Sequence, residues 1–193
     1  MSTREIDLAA QQLRQAVVFA ALLEYFTQLF TSPAAPGVGK SLADLELDPE
    51  QPLRGGVKPL PNPARVREYW ADVLPPGTPP RDYPAHWCGG LCLFAIRRAE
   101  LARDVFWKAG FAARVLRQLE PSELPQPGDV AYFTRNQHHA IVTNVNALTR
   151  TFDSVDGNQS PGILRHWNRK LSSAAAFYSL EPLLMATEAS RGT

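Results

Sequence analysis

Between Asp129 and Leu180 the chain offers five short runs of β-branched and aromatic residues, with gaps too short to hold crossover helices. They are Asp129 to Phe133, His139 to Val142, Arg150 to Val155, Gly162 to Trp167 and Ala175 to Leu180. Neighbouring strands so closely spaced must pair antiparallel. Upstream the signals are helical. Ile6 to about Phe30 contains neither Pro nor Gly, Ala64 to Val73 reads as a shorter helix, and a third runs from about Trp87 to Gly110 with a break expected near Arg103. Helices first and sheet second predict an α+β domain in which a helix packs on one face of a small antiparallel sheet.

Breakers mark the seams. Pro33, Pro36 and Gly37 end the first helix, residues 41–45 read as a single helical turn, and Pro75 to Pro80 must be extended. The division expected is a helical N-terminal extension over 1–62 and a second, chemistry-bearing domain over 63–193. At 193 residues the chain can bury one core with an appendage. Twenty basic and nineteen acidic residues leave a formal charge of +1, so neither nucleic acid nor an anionic membrane is expected as a partner. The apolar run Ala16 to Leu23 follows Glu5 and Asp7 as well as Arg4 and Arg14, which is not the positive start of a secretion signal. Synthesis in the cytoplasm without a signal peptide is the expectation.

Chemistry concentrates around Trp87-Cys88-Gly89-Gly90-Leu91-Cys92, at the start of the third helix. A thiol there lies near unpaired backbone N–H groups and the positive end of the helix dipole, both of which favour the thiolate. On a 3.6-residue period Cys88 aligns with Leu91, Cys92, Ala95, Ile96 and Ala99, so the sulfur should face the sheet. Cys92, deeper on that stripe, reads as a core residue. The base should come from His138-His139 at the head of a strand. Alternation puts His139 with Ile141, Thr143 and Val145, the more apolar face, and His138 on the other; this selects His139. An imidazole of this kind needs an orienting partner, and Asp153, Asp156 and Asn158 are the choices. Asp156 is preferred, with Asn158 assisting or substituting. His86 and His166 read as solvated or structural, and Pro127-Gly128-Asp129 as a turn into the first strand.

Taken in order, Trp87-Cys88-Gly89-Gly90, Pro127-Gly128-Asp129-Val130-Ala131-Tyr132-Phe133, His139-Ala140-Ile141-Val142 and Asp156-Gly157-Asn158-Gln159-Ser160 resemble the CHAP family, the cysteine, histidine-dependent amidohydrolases/peptidases. The resemblance covers about Tyr83 to Trp167, and it is closer than that to the related NlpC-type cell-wall peptidases. It implies a papain-like core, Cys88 as nucleophile, His139 as base, the Asp156-Gly157-Asn158 segment as orienter, and hydrolysis of an amide in bacterial peptidoglycan. The long N-terminal helix is a departure from the usual family core, and it leaves substrate choice more open than chemistry.

The expected reaction is amide cleavage through a thioester on Cys88. Its oxyanion would rest on the Cys88 backbone N–H and a further donor, for which Tyr83 is the candidate. Trp87 reads first as a packing residue, with the wall of the cleft as its second possible role. No cofactor is expected. Cys88 and Cys92 have three intervening residues where a zinc knuckle prefers two, and adjacent strand histidines diverge. Peptidoglycan stem peptides are the expected substrate. A secreted antibacterial toxin with an immunity protein and delivery machinery, or a phage lysin, acting in the periplasm or cell wall, would fit. The alternatives are a papain-fold deamidase or acyltransferase acting on a protein or small amide, and a non-catalytic binding protein on the same fold.

Overall fold

The structure, a computed structural model, describes residues 3–31, 63–79, 87–101, 119–134, 137–159 and 162–185. Among these residues three helices precede a sheet: α1 (Thr3–Thr31), α2 (Pro63–Val73) and α3 (Cys88–Arg98). Strands follow as β1 (Glu120–Ser122), β2 (Val130–Phe133), β3 (His138–Asn146), β4 (Thr151–Gln159), β5 (Gly162–Lys170) and β6 (Ala176–Ser179), with a helical turn over 181–185. Their order across the single sheet is β1-β6-β2-β3-β4-β5, and every neighbouring pair is antiparallel. The α+β class expected from the order of elements is therefore the observed one.

Two elements depart from their sequence signals, each for a physical reason. β1 is three residues long and contains Pro121, which cannot donate to a ladder; it survives as an edge strand paired only with β6. The third helix stops at Arg98, well before Gly110 and before the break expected near Arg103. Glu100 takes a left-handed φ of +64°, and Leu101 N–H closes back on the Ile96 carbonyl at 3.3 Å. This is a left-handed helix stop built without glycine, so no breaker announces it. Residues 102–110 and the helical turn expected at 41–45 lie outside the described residues.

α3 is the central element. Cys88 to Ile96 are all buried, because the sheet covers one side of the helix and α1 and α2 cover the rest. Val130, Ile141, Val155 and Ile163 from the sheet join Val17, Ala21 and Tyr25 of α1 and Tyr69, Trp70 and Val73 of α2 in one core around Leu91, Cys92 and Ile96. The opposite face of the sheet carries a smaller cluster of Ala131, Ala140, Val142, Phe152, Leu171 and Phe177. The two sets alternate along each strand, as a pleated sheet requires.

Polar anchors tie α1 to this core. Arg14 pairs with Asp129, both buried, and Asp129 also accepts N–H bonds from Gln126 and Leu180 at 2.8 and 3.1 Å. Gly128 precedes it with φ +94°, and an added Cβ would lie 3.2 Å from the Arg14 carbonyl. The Pro127-Gly128-Asp129 turn is thus a structural joint between helix and sheet. Farther along α1, Glu24 accepts from Arg65 and from the Tyr69 hydroxyl at 2.8 Å, and Gln28 bonds both the N–H and the carbonyl of Ile163.

Candidate active site

Cys88 is the first residue of α3, and its thiol is 6% exposed. Leu91 N–H bonds the Trp87 carbonyl at 3.0 Å, which makes Trp87 the helix cap and leaves the N–H groups of the first turn without partners inside the helix. The distance from Cys88 Sγ to His139 Nδ1 is 3.9 Å, so the expected sulfur and imidazole do meet across the seam between helix and sheet. The His138 imidazole also favours the ionised form of this thiol. One sulfur therefore feels two imidazoles that are adjacent in sequence.

Register explains how adjacent residues come to differ. Tyr132 pairs with His139 and Val130 with Ile141, which places His139 on the helix-facing side of the sheet. His139 is buried there, with its ring 5.1 Å from that of Tyr132. Ala140 pairs with Asp156 and Val142 with Ser154, so His138 shares the far side with Asp156 and Ser154.

The carboxylate falls to His138. Sequence reasoning assigned Asp156 to His139, but Asp156 Oδ2 lies 2.9 Å from His138 Nε2, on the face that His139 does not occupy. Alternation separated the two histidines correctly; only the strand register, which the sequence does not spell out, could tell which of them meets Asp156. Asp156 is fully buried and further held by Arg169 Nη1 at 2.8 Å and by the Ser154 hydroxyl, which donates to Oδ1 at 2.6 Å. Arg169 in turn lies over the Phe133 ring at 4.7 Å. Neither Ser154 nor Arg169 stood out in the sequence. The one available signal for Ser154 is that it lies two residues from Asp156 on a strand, and so shares its face.

Electrostatics follow from these contacts. Burial alone would push the Cys88 thiol up, but hydrogen bonds to His138 and His139 outweigh it and hold the thiol down at about 6. Burial opposes charge on His138 as well, yet the bond to Asp156 and the neighbouring thiol raise it to about 9. Between those values the sulfur and His138 exist mainly as a thiolate–imidazolium pair, a titration that belongs to the pair. Burial works against ionised Asp156, but His138, Arg169 and His166 keep it below the usual carboxylate range. Cys92, one turn deeper, is pushed well up by burial and by the nearby Cys88 and Asp156 charges, so only one of the two thiols is activated.

The other candidates lie elsewhere. Trp87 is 5% exposed and sits in the core, its ring 5.8 Å from that of Tyr69, as its reading as a packing residue requires. Gly157 makes room for it: a Cβ at that position would come within 2.9 Å of Trp87 and 3.0 Å of Leu91. Asn158 is half-buried with a left-handed φ of +54°, at the irregularity where β4 leaves its register with β5. Asp153 is engaged by Asn168 N–H of β5 at 2.9 Å and by the Asn144 amide of β3 at 3.3 Å. His166 approaches Asp156 at 3.9 Å, and burial pushes it down. Tyr83 and His86 lie outside the described residues. Among the described residues no group of three or more His, Cys, Asp and Glu side chains could hold a metal ion, and no helix is long and apolar enough to cross a membrane.

No protein-family model, curated protein or solved structure matches this chain.

Proposed function

We propose that the chain is a cysteine amidase or endopeptidase, with Cys88 as nucleophile, His138 as the base and proton donor, and Asp156 as the group that orients His138. One observation carries the reading: a thiol at a helix N-terminus meets a histidine pair, with His139 Nδ1 3.9 Å from the sulfur and His138 Nε2 held 2.9 Å from a buried carboxylate. With Nε2 committed to Asp156, Nδ1 is the nitrogen left for sulfur. Nucleophile, base and orienter in that order form a catalytic triad.

The Cys88 thiolate attacks the substrate carbonyl carbon, and the negative charge moves onto its oxygen, against the N–H groups at the start of α3. As the tetrahedral adduct collapses, the C–N bond breaks and His138 gives its Nδ1 proton to the departing amine, leaving a thioester on Cys88. Neutral His138 then takes a proton from water, whose oxygen attacks the thioester; the acid departs and the thiolate–imidazolium pair is restored. Asp156 holds the ring through both half-reactions and stabilises its cationic form. Arg169 and Ser154 keep that carboxylate in place.

Bacterial peptidoglycan is the proposed substrate, on the strength of the four motifs whose order resembles the CHAP family. The corresponding site of action is the periplasm or cell wall after delivery, and an immunity protein that covers Cys88 is the partner such a toxin would need. Incubating the protein with purified peptidoglycan and analysing the fragments by mass spectrometry tests this. New amine and carboxyl ends that disappear with Cys88→Ala are expected. Intact peptidoglycan alongside a reactive Cys88 would move the substrate to a protein or small amide, and an unreactive Cys88 would remove the hydrolase reading altogether.

A further inference from the structure

A triad needs one imidazole, and this site supplies two. His139 is buried, on the helix-facing side of β3, with Nδ1 3.9 Å from Cys88 Sγ. His138, on the other face of the strand, also favours the ionised thiol and is tied to Asp156 at 2.9 Å. The two rings diverge from consecutive backbone positions, and the bond of His138 to Asp156 is the one suited to support proton transfer.

We infer that His139 is a second, dedicated hydrogen-bond donor to the Cys88 thiolate: its Nδ1–H fixes the sulfur and favours its ionised form, while His138 carries the proton. This rests on the triad reading and assigns His139 a separate task within it. The two tasks conflict in a single ring. An imidazole that shuttles a proton must leave the sulfur when it turns to the departing amine or to water, and the thiolate then loses its partner. A donor that never leaves keeps the sulfur aimed and ionised through the cycle. Packing supports constancy: Tyr132 from β2 lies against the His139 ring at 5.1 Å, and the ring is almost wholly enclosed. The other titratable and charged groups of the site are Cys92, one turn along α3, and Asp156 from β4, which bonds His138 and has Arg169 and His166 of β5 around it.

Asn and Gln separate the role from mere packing. The Asn amide nitrogen can take the place of Nδ1, whereas that of Gln takes the place of Nε2, and both are polar side chains of similar folding cost. The rate of Cys88 alkylation by iodoacetamide is measured against pH for the unaltered protein, His139→Asn and His139→Gln, with near-ultraviolet circular dichroism to verify the fold. His139→Gln is expected to raise the midpoint by about one pH unit, the size of a lost hydrogen bond to a charged group. His139→Asn is expected to restore most of it, and the alkaline limb of turnover, which belongs to His138, should stay in place in both. Equal midpoints for the two variants, or a shift of the alkaline limb, would overturn the inference. A midpoint near 9 in the unaltered protein would instead overturn the triad reading on which it rests.

Discussion

At the scale of single residues the account turns on three groups whose charges are interdependent. Cys88 ionises at about 6 and His138 holds its proton to about 9, so turnover should rise as pH passes 6 and fall beyond 9, with a plateau between. A pH profile of kcat/KM measures both limbs. Replacing Asp156 with Asn removes the charge that raises His138. The alkaline limb should then move to lower pH and turnover should fall by about 10²-fold or more, the usual contribution of a positioned acid–base group. An unmoved alkaline limb in Asp156→Asn would detach the carboxylate from the base. The thiol and the histidine pair were legible from residue type and from the helix start at Cys88. That His138 holds the carboxylate was not, because it depends on pairing Ala140 with Asp156, and a slip of one residue would have brought His139 to it instead.

At the scale of elements the site is a junction of α3 with β3 and β4, and its precision depends on how closely they approach. Gly157 is the contact point, since a methyl group there would meet Trp87 at 2.9 Å and Leu91 at 3.0 Å. Gly157→Ala should cost about 1–3 kcal/mol through overpacking and slow Cys88 alkylation by pushing α3 away from the imidazoles. Thermal melting and the alkylation rate, read together, check this; an unchanged rate would show that the spacing is not critical. The central strands were legible because alternation and turn formers mark them, and antiparallel pairing followed from their spacing. β1 escaped because Pro121 argues against a strand, and the end of α3 escaped because Glu100, not glycine, takes the left-handed position. The stripe predicted to face the sheet, from Cys88 to Ala99, is buried, but so are Leu93 and Phe94 on the other side. Apolar residues surround α3 on every side, so periodicity alone could not show that a second layer of helices covers it.

At the scale of the whole molecule α1 belongs to the same core as the site, through charges that in sequence read as surface residues. Arg14 and Glu24 punctuate an otherwise apolar stretch, and both are buried against Asp129 and Arg65. Removing Arg14 would leave the Asp129 carboxylate buried without its cation. Arg14→Met should therefore destabilise the protein by about 3 kcal/mol, within the range for broken buried pairs, and urea unfolding measures it; a change below about 0.5 kcal/mol would detach α1 from the fold's stability. Stability should also follow the site's ionisation. The raised His138 contributes stability that is full below its ordinary 6.5 and lost as pH rises through about 9, while the depressed Asp156 contributes stability that is lost on acidification. What links these layers is the proposed nucleophile, the Cys88 sulfur at the head of α3. The most direct test is to treat the folded protein with a small thiol-directed electrophile across pH and locate the adduct by peptide mass mapping. The account predicts modification of Cys88 with a midpoint near 6 and an unmodified Cys92; labelling of Cys92 in preference, or a Cys88 midpoint near the ordinary thiol value of 9, would contradict it.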